Sequence, residues 1–314
     1  MSEGSSPKAS GVASTRGADP VATCRYPRSV LRVKAPWSTP LRLLGDRDRD
    51  DVLAICDRDP VLNVFVASRV RAVGLDPPRL GAQLWGHQAG GRLASLCYAG
   101  ANLVPVAATP DAIVAFADRA RAQGRRCSSL VGPAPAVDQL WELLAPHWSR
   151  PRDVRRSHPV MAISGPPAVT PDPLVRRVRP EQLDVLFPAS VAMFTEEVGI
   201  SPVGPDGGAG YRARVAELIS VGRAFARIHD GEVIFKAEIG AVTPQACQIQ
   251  GVWVRPEWRG RGIAGPGVAA VVAEAARSFA PVVSLYVNDL NAPARAAYRR
   301  VGFTEVATFM SVLF

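Results

Sequence analysis

The chain has almost no lysine. Lys8, Lys34 and Lys236 are the only three among 37 basic residues, and the arginines that make up the rest run along all 314 residues. A nucleic-acid-binding arm concentrates its cations in a block. A net charge of +9 dispersed in this way, beside abundant Ala, Gly and Pro, argues against that class and fits a GC-rich coding bias. Paired cysteines are also missing. Cys24, Cys56, Cys97, Cys127 and Cys247 are odd in number and never in CxxC spacing, which excludes a disulfide framework and a structural zinc site. The four histidines (His87, His147, His158, His229) form no HExxH-type pair, so no metal is expected. No apolar run approaches the ~20 residues that span a bilayer. The N-terminus lacks the apolar segment of a secretory signal. Residues 1–36, rich in Ser, Gly, Ala and Pro, read as a disordered leader, and the expected location is the cytoplasm.

What is present is an order of elements, given twice. SGPPAVTPDP (164–173) is too rich in proline for helix or central strand and reads as a linker. On either side, at 37–163 and 174–314, the same succession appears. A short strand and helix come first, then a hairpin, turning at Ala89–Gly90–Gly91 in one half and Asp230–Gly231 in the other. A further strand (ANLVPVAA; QIQGVWV) leads to an Ala/Arg-rich helix (DAIVAFADRARAQG; VAAVVAEAARSF). Another strand, a short helix and a final apolar strand close each half. This is the pattern of a duplicated α/β unit.

One junction in the second half carries chemistry. VWVRPEWRGRGIAGPG passes from an apolar strand through a glycine-rich turn into a helix. Unpaired N–H groups converge at a helix N-terminus, and the helix dipole favours an anion there. Glycines let the backbone approach a phosphate, and Arg259 and Arg261 add charge-assisted contacts. A Rossmann fingerprint and a P-loop ending in GK[ST] are both absent. What stands instead is Arg259-x-x-Gly262-x-Ala264, followed by SLYVNDLNAPARAAYRRVGF, with Asn288, Asn291, Ala294, Tyr298, Gly302 and Phe303 in register.

With these two motifs at this separation, residues 174–314 resemble the GNAT acyltransferase superfamily, whose acetyl-CoA signature is [QR]-x-x-G-x-[GA]. The tandem plan resembles an actinobacterial subgroup with a degenerate first unit, and is similar to that of mycothiol synthase. The resemblance implies an α/β (α+β) tandem fold. Its mixed central sheet has helices on both faces and a splay between the fourth and fifth strands of each unit. It implies a pantetheine arm lying in that splay against the backbone of Val252, Trp253 and Val254, and a pyrophosphate held by Arg259, Gly260, Arg261, Gly262, Ile263 and Ala264. Asn288 and Asn291 would border the cofactor; Asn291 reads equally well as the N-cap of the next helix.

Tyr298 is the expected general acid, a phenol placed to protonate the departing thiolate. The base is open between Glu238, central in IFKAEIGAV, and the pair Glu196 and Glu197, in the region bordering the acceptor. Lys236 shares a strand face with Glu238 by the period of two, and an ion pair there would make Glu238 less available. His229 sits at a hairpin end and suggests no role. Trp258 can cover the cofactor or pack on the fold, and Pro266 weakens the start of the helix after the turn without removing the N–H groups that precede it.

The first half lacks this chemistry. TPDAIVAF has no glycine-rich turn, Asp111 reads as a helix cap, and Trp141 stands where the repeat places Tyr298. Residues 37–163 therefore read as a degenerate unit that forms one wall of the acceptor site. The activity expected is acetyl transfer from acetyl-CoA to a primary amine, on a small molecule or a protein lysine, by a monomer or homodimer. No metal, nucleic acid or membrane is expected to take part. A non-catalytic acyl-CoA-binding regulatory or sensor protein is the alternative.

Overall fold

The computed structural model describes residues 41–204 and 207–314; the leader expected at 1–36, with Cys24, lies outside them. The first half supplies β1 (Arg42–Leu43), α1 (Arg49–Cys56), α2 (Val64–Val73), α3 (Pro77–Leu80), β2 (Gln83–Ala89), β3 (Arg92–Ala99) and β4 (Asn102–Val106). It continues with α4 (Pro110–Gln123), β5 (Ser129–Pro133), α5 (Ala134–Leu144) and β6 (Asp153–Ser164). The second half supplies β7 (Arg176–Arg177), α6 (Leu183–Val198), α7 (Ala209–Ser220), β8 (Ala224–His229), β9 (Glu232–Val242) and β10 (Ala246–Val254). Then come α8 (Ala264–Ser278), β11 (Val282–Tyr286), α9 (Ala292–Val301) and β12 (Thr304–Leu313).

All twelve strands join one sheet in the order β1-β2-β3-β4-β5-β12-β6-β11-β10-β9-β8-β7. Both expected hairpins form. Gly90–Gly91 and Asp230–Gly231 link strands paired at Ala89↔Arg92 and His229↔Glu232. Each of these four residues has positive φ, the two-residue turn that matches strand twist. Side chains alternate across the sheet. On β2, Leu84 belongs to the core beneath α1 and α2, and Trp85 to the core beneath α4 and α5. On β9, Phe235, Ala237 and Ile239 pack beneath α8. Lys236 and Glu238 thus fall on the opposite face, beneath α6.

The last strands of the two halves are exchanged. β12 lies between β5 and β6, antiparallel to both, and β6 pairs with β11 from Val282↔Ser164 to Tyr286↔Val160. Each half thus completes its sheet with a strand of the other. The proline-rich stretch after β6 is not loose. Asp172 is buried, its backbone N–H donates to the Pro266 carbonyl, and its carboxylate accepts from Leu174 N–H and Arg227.

The parallel pairs are β4–β5 and β10–β11, and both splay. β4 and β5 pair only at Asn102↔Ser129 and Leu103↔Leu130. β10 and β11 pair from Ala246↔Val282 to Gln248↔Ser284 and then part. The first splay is filled: Gly132 lies against Pro105 and Val137, with 3.5 Å from a Cβ built on it to each. The cap of α4 is Thr109, whose Oγ1 accepts from Ala112 N–H at 3.3 Å. Asp111, expected as the cap, instead occupies the first turn, where a negative charge favours the dipole. Trp141 packs edge-on against Phe314.

Candidate active site

The second splay is built by a bulge. β10 and β9 pair at Gln250↔Glu238 and again at Trp253↔Lys236, one residue out of step. The extra residue is accommodated at Gly251, with φ +59°; a Cβ there would stand 3.0–3.2 Å from Met193, Lys236 and Glu238. Glycine is required by both conformation and space. Beyond the bulge, Arg255 N–H donates to Ile234 O. By antiparallel alternation this turns the backbone of Trp253 toward β9 and that of Val252 and Val254 toward the gap. The expectation that all three face the cofactor is corrected for Trp253. Its indole is buried and donates from Nε1 to Glu196 at 3.1 Å.

The turn after β10 has the form of an anion cradle. Gly260 and Gly262 both have φ +76°, and a Cβ on either would meet nothing within 4 Å. α8 starts at Ala264, and its first ladder bond comes from Gly267 N–H to Ile263 O. The N–H groups of Ile263, Ala264 and Gly265 precede that ladder. Pro266 occupies a position whose N–H would be unpaired in any case, so α8 is not interrupted. Arg259 donates from Nε to Val254 O at 2.9 Å and pairs with Glu196 at 2.7 Å. Arg261 has no carboxylate partner among the described residues, and its guanidinium lies 5.1 Å from the Trp258 ring centroid. Trp258 also receives Arg227, at 5.9 Å, and the edge of His229. It packs among cations at the rim of the turn.

The expected bases separate clearly. Glu238 is buried, ion-paired to the fully buried Lys236 at 3.2 Å and bonded by Gln250 Nε2 at 2.9 Å. Both carboxylate oxygens are committed. Glu196 is committed to Trp253 and Arg259. Glu197 reaches solvent, and its carboxylate makes no hydrogen bond or ion pair among the described residues. Enclosure by the cleft pushes its carboxyl above the usual range, and Arg155 and Lys236 pull it back down.

Tyr298, on the buried face of α9, packs with Phe303. Burial pushes its phenol up, and the Glu197 carboxylate adds to the push. Asn291 is the N-cap of α9, its Oδ1 accepting from Ala294 N–H at 3.2 Å, and Asn288 Oδ1 accepts from Leu290 N–H at 3.1 Å. These two amide oxygens are used in shaping the loop.

Residues not singled out from the sequence complete the cleft. Tyr286, the last residue of β11, falls in the opposite phase to its buried neighbours Leu285 and Val287, and its ring meets His158 at 5.8 Å. The period of two could have placed it. His158, on β6, bonds Ser311 Oγ at 2.8 Å, and burial, aided by Arg155, lowers its imidazole to about 4. Arg155 and His158 come from the first half, and no local pattern points to them.

A parallel pair that splays beside a glycine-rich helix start defines an acyltransferase fold of the GNAT type. Residues 211–303 match the acetyltransferase (GNAT) family model, and residues 82–186 match a domain of unknown function, DUF4081. A GNAT-family acetyltransferase from Colwellia psychrerythraea aligns with TM-score 0.52 at 14% identity, over 88% of this chain and 99% of its own. A GCN5-related N-acetyltransferase from Sphaerobacter thermophilus gives 0.54 at 19%, over 87% and 94%. A tandem GNAT protein from the clavulanic acid biosynthesis pathway gives 0.51 at 16%, over 87% and 97%. No curated protein matches. The C-terminal part of the chain thus matches the GNAT acetyltransferase family, whose members use acetyl-CoA as co-substrate, and the whole has the fold of a tandem GNAT protein. Among the described residues no helix is long and apolar enough to cross a membrane.

Proposed function

We propose that the protein transfers the acetyl group of acetyl-CoA directly to a primary amine, with Glu197 as base and Tyr298 as acid. The observation that carries this reading is the uncommitted Glu197 carboxylate at the end of α6, the helix packed on β10 next to where β10 and β11 part. The Gly260–Gly262 turn and the N–H groups at the start of α8 fit a pyrophosphate, and Arg259 and Arg261 neutralise it. The outward backbone of Val252 and Val254 pairs with an amide-bearing arm as an added strand would.

Glu197 takes a proton from the incoming ammonium. The amine nitrogen then bonds the acetyl carbonyl carbon, the carbon–sulfur bond breaks, and Tyr298 gives its proton to the leaving thiolate; the second proton, shed by the acylated nitrogen, returns Tyr298 to its neutral phenol, and Glu197 releases its proton to solvent. No covalent enzyme intermediate is needed; the four described cysteines are all buried. On this reading residues 174–314 form the catalytic unit, 37–163 the degenerate one, and 164–173 their junction.

Calorimetric titration with acetyl-CoA tests the cofactor site. Gly262→Asp, which places a carboxylate in the cradle, is expected to weaken binding about 10- to 100-fold, or roughly 1.4–2.8 kcal/mol. Unchanged affinity in a folded variant would reject the cradle. Glu196→Gln should act the other way. Glu196 competes with phosphate for Arg259 in an exposed pair, so its removal should tighten binding by up to about fivefold. The same titration reads it. A protein that binds acetyl-CoA but releases no thiol with any amine would instead be the acyl-CoA sensor.

A further inference from the structure

We infer that Arg155, a residue of the first half, is a positioning residue for Glu197, fixing where α6 ends and which way the base faces. This rests on the acetyl-transfer reading for the name "base", but not for the contact. Arg155 Nη2 donates to the Glu197 backbone carbonyl at 2.8 Å, across 42 residues of sequence, while its Nε donates to Asp153 at 2.7 Å. The Nε end of the guanidinium is thus locked within β6 while Nη2 grips the last turn of α6. The carbonyls of that turn have no partner within the helix, and a cation there is favoured by the helix dipole.

The strand exchange makes this possible. Because β12 enters between β5 and β6, the first half's last strand runs beside β11, next to the cleft. β6 then shifts register against β12, pairing His158 with Phe309 and Arg155 with Ser311. An extra residue on β6 brings Arg155 and His158 to the same face, the way bulges re-aim side chains beside active sites.

The groups facing Glu197 come from four elements besides its own: Arg155 on β6, Lys236 on β9, Tyr286 on β11 and Tyr298 on α9. On α6 itself, Glu196 is held by Arg259 and Trp253. Lys236 pulls the Glu197 carboxyl in the same direction as Arg155 but less, from within its ion pair with Glu238. Arg155 acts on the Glu197 carboxylate through space and on the helix end through its hydrogen bond to the Glu197 carbonyl. The half without a phosphate turn therefore sets the protonation and aim of the other half's base.

The test reads Glu197 directly. Side-chain carboxyl carbons of glutamate-labelled full-length protein are titrated by NMR, and the Glu197 signal is assigned by its loss in Glu197→Gln. In Arg155→Met the Glu197 midpoint should rise by about one pH unit, the usual size of losing a close opposite charge. The acid limb of kcat/KM should move up with it, and acetyl-CoA affinity should not change. Arg155→Gln, which keeps a donor but no charge, guards against misfolding and should show the same rise. A Glu197 midpoint unmoved in both variants overturns the assignment. The titration needs no turnover. Wild-type protein that releases no CoA thiol would sink the acetyl-transfer reading, while the positioning contact would still stand or fall on the midpoint.

Discussion

Tyr298→Phe is expected to lower the rate of acetyl transfer about 10²- to 10⁴-fold, the usual contribution of a placed general acid. Acetyl-CoA affinity should stay close to that of the wild type. The substitution removes one oxygen and no volume from the buried face of α9. The hydroxyl makes no hydrogen bond among the described residues, so nothing is left unpaired and the fold should not weaken. Burial, then Glu197, pushes the phenol above its ordinary value, which keeps it protonated throughout the physiological range. That is the state an acid must hold before it acts, although the same push makes it a weaker donor. The pH profile separates the two roles. Glu197 must be ionised to accept a proton, and enclosure raises its carboxyl, so activity should fall as pH drops through that raised value. Tyr298→Phe should keep this acid limb at its reduced rate. If Tyr298 only fills space, Phe does so equally well, and unchanged turnover measured by thiol release would reject the acid.

Much of this architecture was legible in the sequence because it is written locally. Asp230–Gly231 marks a hairpin by its turn chemistry alone, and RGRGIA before an apolar helix marks by its glycines the turn that leads into α8. The alternation in IFKAEIGAV placed Lys236 and Glu238 together, and their ion pair follows from that period. The strand exchange was not legible. HPVMAI and ATFMSVLF are both apolar strands, and nothing in either says which neighbour it pairs with. Register is set by complementary faces far apart in the chain, 153 residues for His158 and Ser311. Arg155 inherits that blindness, since only the exchange brings it to the cleft. The choice among Glu196, Glu197 and Glu238 stayed open in the sequence for a related reason. Three carboxylates look alike until their partners are known, and those partners, Trp253, Arg259, Gln250 and Lys236, come from other elements. Asp111 shows the local limit, for Thr109 two residues earlier had the better geometry for the cap.

Lys236→Met should be among the most destabilising single changes, about 3–5 kcal/mol, because it leaves a mostly buried carboxylate without its cation. That is a large share of a stability of roughly 5–15 kcal/mol. Lys236 is 1% exposed, and Glu238 would keep a single neutral donor, Gln250. The bulge at Gly251 sits directly over the pair and Met193 closes it from α6, so water has little room to replace the ammonium. Lys236→Met with Glu238→Leu should regain most of the loss, since a buried ion pair is often no more stabilising than apolar residues of similar size. Denaturant unfolding of the single and double variants checks both. A single variant as stable as the wild type would show that the pair is solvated. The double variant also tells why the pair is there. Lys236 pulls the Glu197 carboxyl down, so a chain that is stable again but lacks this lysine should have a base that titrates higher. Stability would return while the acid limb of the pH profile moves up, and the ion pair would then be read as part of the machinery that keeps Glu197 ionised.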